Sequence, residues 1–386
     1  MSAQIVLPRI MHVGKDACLK LPDTLATLGC NKPLIVTDKT MSSLGYTAEL
    51  TTILQTAGIH SDVYDDTVPE PTDTSIMGGV EMVRNGDYDC IIALGGGSPI
   101  DSAKAIAVLG KFGGKIRDYR APRQVNEPGL PLIAIPTTAG TGSECTRVTI
   151  ITDEAENEKL LCVGLGFMPV AAIIDYALTL SVPPRTTADT GIDALTHAIE
   201  AYVSQKANPF SDMQALAAMR LIGPNLRAVY RDGNNQPARE AMMLGSTLAG
   251  MAFSNASVAL VHGMSRPIGA FFHVPHGLSN AMLLPAVTAY SISAAPERYA
   301  DCARTIGVAD AADSDDTANR KLLEELEALN RELSVPTLAE FGVTREVFDS
   351  VVETMAEQAL ASGSPANNPR VPDKATIIDI YRQLWS

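Results

Sequence analysis

The sequence predicts a two-part chain, an α/β half built on a mainly parallel sheet followed by an all-helical half. Three observations carry that prediction. Short β-branched runs alternate with helical stretches up to about residue 183. One such run, Cys90 to Leu94, passes directly into Gly95, Gly96, Gly97 and Ser98. Beyond Pro183 and Pro184 the strand-like runs vanish and long Ala-, Leu- and Met-rich segments take over. At 386 residues the chain exceeds one ordinary core, which places domains at 1–183 and 184–386.

In order, Pro33 to Asp38 reads as a buried strand ending in an acid, and a helical stretch follows to about Ala57. Further strands are expected at Asp62 to Tyr64, Cys90 to Leu94, Leu132 to Ile135 and Ala171 to Ile174, with a helix over 74–86. Strands separated by helices imply a parallel sheet covered on both faces. In the second half, helices are expected near 187–203, 209–231, 237–253, 278–294, 318–333 and 345–361. The acidic patch from Asp310 to Asp316 reads as a solvated loop, and Leu322, Leu326, Leu329 and Leu333 keep the spacing of a core-facing helix.

The glycine turn is a chemical landmark. Ser98 is expected to cap the helix that follows, with Pro99 as its first residue and Asp101 three after the cap. Glycines let backbone approach a ligand closely, and the free N–H groups of a helix start favour an anion such as a pyrophosphate. The turn lacks the G-x-G-x-x-G spacing, and by itself is equally well a tight strand-to-helix connection. A second loop, Ile135 to Glu144, gathers small and hydroxyl residues after another strand, suited to bind phosphates or ribose. Asp38 is placed to hold ribose hydroxyls and to repel a 2′-phosphate, which favours NAD over NADP. The α/β half is therefore expected to bind a nucleotide.

The second landmark is histidine. His262, His273 and His276 are three of the six histidines, and they fall within one short run. Upstream, Asp193 and His197 are spaced to share one helical face. One carboxylate with two or three imidazoles suits iron or zinc. Polar residues satisfied in a helical core are the simpler reading of the pair alone.

Composition narrows the partners. A net charge of −14 offers no basic face for nucleic acid. Cys18, Cys30, Cys90, Cys145, Cys162 and Cys302 are scattered, as thiols of a reducing compartment would be. Neither a secretory leader nor an apolar run of membrane-spanning length is evident, so a soluble cytoplasmic protein is expected.

Gly95 to Asp101, Pro136 to Glu144, Gly191 to His197, and His262 with His276 together resemble the iron-containing (group III) alcohol dehydrogenases. The likeness runs in order, with matching spacing, from about residue 8 to the C-terminus. It implies the dehydroquinate synthase-like fold of that family: a nucleotide-binding α/β domain, an all-helical domain, and a metal in the cleft between them. It implies Asp193, His197, His262 and His276 as ligands of Fe2+, with Zn2+ the other candidate. It implies cofactor positions at Asp38, Gly95, Gly96, Gly97, Ser98, Asp101, Thr137, Thr138, Thr141, Ser143 and Lys159, and Phe253 near the substrate. Family members are often dimers or larger, so a homo-oligomer is expected.

One position departs from the family. Many members carry a histidine implicated in proton transfer four residues after the third ligand, and here that residue is Arg266. Guanidinium stays protonated and is no base at neutral pH. His273 is the nearest candidate replacement, with a supporting or surface role as its alternative. Arg266 is expected to pair with a structural carboxylate, or else to bind an anionic substrate group. The activity implied is hydride transfer between a primary alcohol or diol and NAD, the alkoxide stabilised by the metal. A hydroxy-acid dehydrogenase or a maleylacetate reductase-like enzyme is the alternative, then a dehydroquinate synthase-like lyase, and last a nucleotide-binding protein without catalysis.

Overall fold

A computed structural model describes residues 2–156 and 158–385. The chain divides into two compact units, Val6–Ser181 and Val182–Ser386, the latter joined by the N-terminal residues up to Ile5.

The first unit contains β1 (Ile10–Val13), α1 (Leu21–Leu28), β2 (Pro33–Val36), α2 (Lys39–Ser43), α3 (Tyr46–Thr56), β3 (Asp62–Tyr64), α4 (Met77–Asn85), β4 (Cys90–Gly95), α5 (Gly97–Phe112), β5 (Leu132–Pro136), β6 (Val148–Asp153), β7 (Glu158–Val163) and β8 (Ala171–Ile174). Six strands form one sheet in the order β1-β8-β5-β4-β2-β3, every neighbouring pair parallel. Alternate side chains feed two cores. Leu34, Val36, Ile91 and Ala93 pack with α4 and α5, while Ile35, Ile92, Ile133 and Ile135 pack with α1 and α3. Burial on both faces explains why these strands read as unbroken apolar runs.

Strand order reverses between β2 and β4, so their carboxyl ends, with that of β5, flank the switch point where such sheets bind ligands. Several expectations need correction here. β2 stops at Val36, because Asp38 turns to cap α2 by accepting from Met41 N at 2.9 Å. The single helix expected to Ala57 is two, broken at Gly45 with φ 86°. The β6–β7 hairpin was not anticipated. Its alternating half-buried pattern resembles neither a buried strand nor a helix face.

The second unit is helical: α6 (Pro184–Val203), α7 (Pro209–Arg231), α8 (Gln236–Ala256), α9 (Leu260–Phe272), α10 (His276–Ser291), α11 (Pro296–Ile306), α12 (Asp315–Glu332), α13 (Leu338–Phe341), α14 (Arg345–Ala361) and α15 (Lys374–Gln383). No strand occurs among its described residues. Leu322, Leu326, Leu329 and Leu333 are buried as their spacing requires. α6 packs against α7, α8 and α10 and is enclosed along most of its length. The Asp193 carboxylate and the His197 imidazole that it carries are therefore held away from water. No single helix among the described residues is long and apolar enough to cross a membrane.

Candidate metal and nucleotide sites

In the helical unit, α6 presents Asp193 and, one turn on, His197. α9 supplies His262 near its start and α10 supplies His276 as its first residue. Close approach of α10 to α6 depends on Gly277, where a Cβ would run into the carbonyl oxygen of Asp189. One oxygen, Oδ1 of Asp193, lies 3.4 Å from Nε2 of His262 and 3.9 Å from Nε2 of His276. Asp193, His262 and His276 offer ligand atoms all within 4.8 Å of one another. His197 stands beside this trio. Its Nδ1 is 3.8 Å from Asp193 Oδ1, and its ring is stacked between Phe253 at 4.2 Å and His262 at 4.3 Å.

Two residues that sequence reasoning missed complete the arrangement. The amide nitrogen of Asn280 donates to Asp193 Oδ1 at 2.7 Å and lies 3.1 and 3.3 Å from Nε2 of His262 and His276. Its own Oδ1 is buried without a hydrogen-bond partner. Glu200, 3% exposed, accepts from Ala259 N at 2.9 Å, Val261 N at 2.6 Å and His262 Nδ1 at 2.7 Å. It thus caps the start of α9, whose first N–H groups lack intrahelical partners, and turns the other edge of His262 toward Asp193. A carboxylate three residues after His197 and an amide four after His276 are the helical spacings that would have flagged both.

The electrostatics favour a cation. Burial opposes ionisation of Asp193, but the imidazoles of His197, His276 and His262 outweigh it and hold the carboxyl well below its usual range. Burial likewise opposes a charge on His262, yet Asp193 and Glu200 raise it to about 9. Two buried carboxylates thus draw positive charge between them, whether a proton or a metal. The donors fit a divalent transition metal: one carboxylate oxygen and imidazole nitrogens face a single point, now marked by an amide that leaves its own oxygen unpaired.

In the α/β unit, the glycine turn and the hydroxyl-rich loop form one packed piece. Gly95 has φ +148°, and a Cβ there would strike Pro99 at 2.5 Å. A Cβ at Gly96 would meet Thr138 at 3.3 Å, and one at Gly97 would meet Thr141 at 2.9 Å. The helix cap is Gly96, not the expected Ser98, whose hydroxyl instead accepts from Glu70 N at 3.3 Å. Lys159 reaches the same corner through an ion pair with Glu70. The Thr137 hydroxyl is buried without a hydrogen-bond partner.

Asp101 does not serve the start of α5. Its oxygens accept from Ser143 Oγ at 2.8 Å and Ile150 N at 3.0 Å, tying α5 to the second loop. Lys104, also unanticipated, completes this clasp by donating to Ser143 Oγ at 3.0 Å, Thr146 Oγ1 at 2.9 Å and Val148 O at 2.7 Å. Complete burial lowers Lys104 to about 8 against the pull of Asp101 and Glu144.

Two further sequence candidates lie outside the ligand set. His273 is the exposed residue closing α9, in the left-handed conformation at φ 56°. Arg266 donates to Ser364 Oγ at 3.2 Å, and no carboxylate lies within ion-pair distance of it among the described residues. The structural ion pair expected for it is absent there, because Glu200 spends its oxygens on α9 and His262.

Residues 8–176 match the family model for iron-containing alcohol dehydrogenase, and residues 187–385 match the model for the C-terminal part of that family. The class is an oxidoreductase acting on CH–OH groups. The chain belongs to the iron-containing alcohol dehydrogenase family. It is 37% identical to lactaldehyde reductase of Escherichia coli strain K12, with 100% of both chains covered. It is 36% identical to an NAD-dependent methanol dehydrogenase of Bacillus methanolicus over 97% of each chain. A crystal structure of 1,3-propanediol oxidoreductase superposes with a TM-score of 0.95 at 36% identity, covering 100% of both chains.

Proposed function

We propose that the protein interconverts small primary alcohols or diols and their aldehydes, with NAD as redox partner and a divalent metal held by Asp193, His197, His262 and His276. The observation that carries this reading is the shared focus of Asp193 Oδ1 and the Nε2 atoms of His262 and His276. Iron or zinc bound there would supply Lewis-acid polarisation of the substrate oxygen, and NAD bound at the switch point would supply the hydride acceptor for the carbinol carbon.

The residues of the chain do the rest. Glu200 orients His262 through Nδ1, and Phe253 stacks on His197 to hold its ring and wall the substrate side. At the switch point, the Gly95–Ser98 turn and the start of α5 receive the pyrophosphate, with Thr137, Thr138 and Thr141 beside it. Asp38 takes the ribose hydroxyls, while Asp101 and Ser143 position the loop from behind. Six free cysteines suit the reducing cytoplasm.

The test is to strip the purified protein of metal, reload it with Fe2+ or Zn2+, and follow NADH absorbance with short alcohols, diols and aldehydes. Turnover that requires metal, and that His276→Ala abolishes together with metal binding while NAD still binds, is the expected result. Full metal occupancy in His276→Ala would remove that residue from the ligand set.

A further inference from the structure

Enclosed arginines of the helical unit are well partnered, with one exception. Arg227 pairs with Glu325 and Glu332, Arg298 with Asp212, and Arg304 with Asp315. Arg239, which has no carboxylate, still donates from all three nitrogens, to Gly233 O, Thr187 Oγ1 and Val182 O. Among the described residues Arg266 makes one hydrogen bond, to the neutral Ser364 hydroxyl, and forms no ion pair; its Nε, like that of the ion-paired Arg304, is buried with no acceptor. Guanidinium has five N–H donors and a flat fork that matches oxyanions. Holding such a half-buried cation without a counter-charge is unfavourable, which favours a partner that arrives from outside.

Its location says which partner. Arg266 lies on α9 one turn after His262, on the same side of the helix. It feels the charge of Glu200, the residue that orients His262. A group held by Arg266 would therefore belong to a molecule whose other end reaches the Asp193 and histidine cluster. Of the four proposed ligands, His276 has the most exposed side chain, at 31%, against 2% for Asp193 and 4% for His262, so the cluster is approached from that rim.

We infer that Arg266 anchors an oxyanion on the substrate, so that the favoured substrates are hydroxy or oxo compounds carrying a carboxylate or sulfonate at the far end. This deepens the proposed function and rests on the same site.

The test compares matched aldehydes on the metal-loaded enzyme with NADH: 4-oxobutanoate against butanal, and 2-oxoethanesulfonate against propanal. The expected result is a kcat/KM ratio favouring the anion by tenfold or more, with the two pairs telling carboxylate from sulfonate. Arg266→Gln should bring that ratio close to one, mainly through KM of the anion, and Arg266→Lys should restore part of it. Calorimetric titration of succinate and methanesulfonate into the holoenzyme gives an independent reading. Binding in the wild type that is lost in Arg266→Gln supports the anchor. An even ratio in the wild type, a ratio surviving Arg266→Gln, or no anion binding would overturn it. Failure of all four aldehydes to react would instead sink the proposed function, and the titration would still decide Arg266. If Arg266→Gln does not fold, the wild-type ratio and titration with the Arg266→Lys comparison decide it.

Discussion

The side-chain nitrogen of Asn280 lies 2.7 Å from Oδ1 of Asp193, at the point toward which the nitrogens of His262 and His276 also turn. Without a cation, this amide donates to the Asp193 carboxylate at the centre of the buried cluster. Asn280→Ala should therefore destabilise the chelator-treated protein by about 1–3 kcal/mol in urea melts, the usual cost of unpaired buried polar groups. It should also enlarge the gain in melting temperature when Zn2+ is added. Equal stability of the two metal-free proteins would show that Asn280 contributes nothing there.

Glu200 joins α6 to the start of α9 and sets the orientation of His262. Glu200→Gln keeps the size but replaces one of two accepting oxygens with an N–H donor, so either Val261 N or the pair Ala259 N and His262 Nδ1 loses its acceptor. Affinity for Zn2+, measured by competition with a chromophoric chelator, should fall about 10- to 100-fold, the usual penalty for losing a partner of a ligand histidine. Unchanged affinity with lowered stability would reduce Glu200 to a helix cap.

Asp38 caps α2 through Met41 N, so its replacement must preserve that bond to be informative. Asp38→Asn does so, since asparagine caps as well as aspartate. With the charge gone, the kcat/KM preference for NAD over NADP should fall by about tenfold or more. A fixed preference would mean that the carboxylate does not face the ribose.

Lys104 gives a pH signature. Its folded value of about 8 lies below the ordinary lysine range, so between the two the unfolded chain holds the extra proton. Stability then rises with pH across that window. Relative to Lys104→Gln, wild type should gain up to about 1.4 kcal/mol per pH unit between pH 8 and 10. Parallel urea-stability curves for the two proteins over that range would contradict the burial of a titrating lysine.

The parallel strands and the ligand-type residues were legible because each leaves a local mark. β4 is an apolar run stopped by glycines, and Asp193 with His197 keep a helical interval. Partners supplied by other segments left no such mark. Nothing near Asp101 says that its carboxylate ends on Ile150 N, or that Lys104 spans to Thr146 and Val148. β1, a four-residue edge strand, is too short for a periodic signal and is defined by its pairing with β8. The cap at Gly96 was misplaced by two residues because serine is the stronger local cap former, while packing against Thr138 decides where α5 begins.

That packing bears on how cofactor preference can change by mutation. Gly96 abuts Thr138, Gly97 abuts Thr141, and Asp101 with Lys104 grips Ser143 from the far side. The two loops therefore behave as a single interlocking part. A side chain introduced into one displaces the other, so grafting either loop alone from a relative breaks the fit, whereas the segment from Gly95 through Thr146 can be transplanted as a unit. Asp38 lies outside that segment, on β2's side of the switch point. On the proposed function, selectivity at the ribose is thus open to single-step change, while the proposed phosphate cradle is inherited whole.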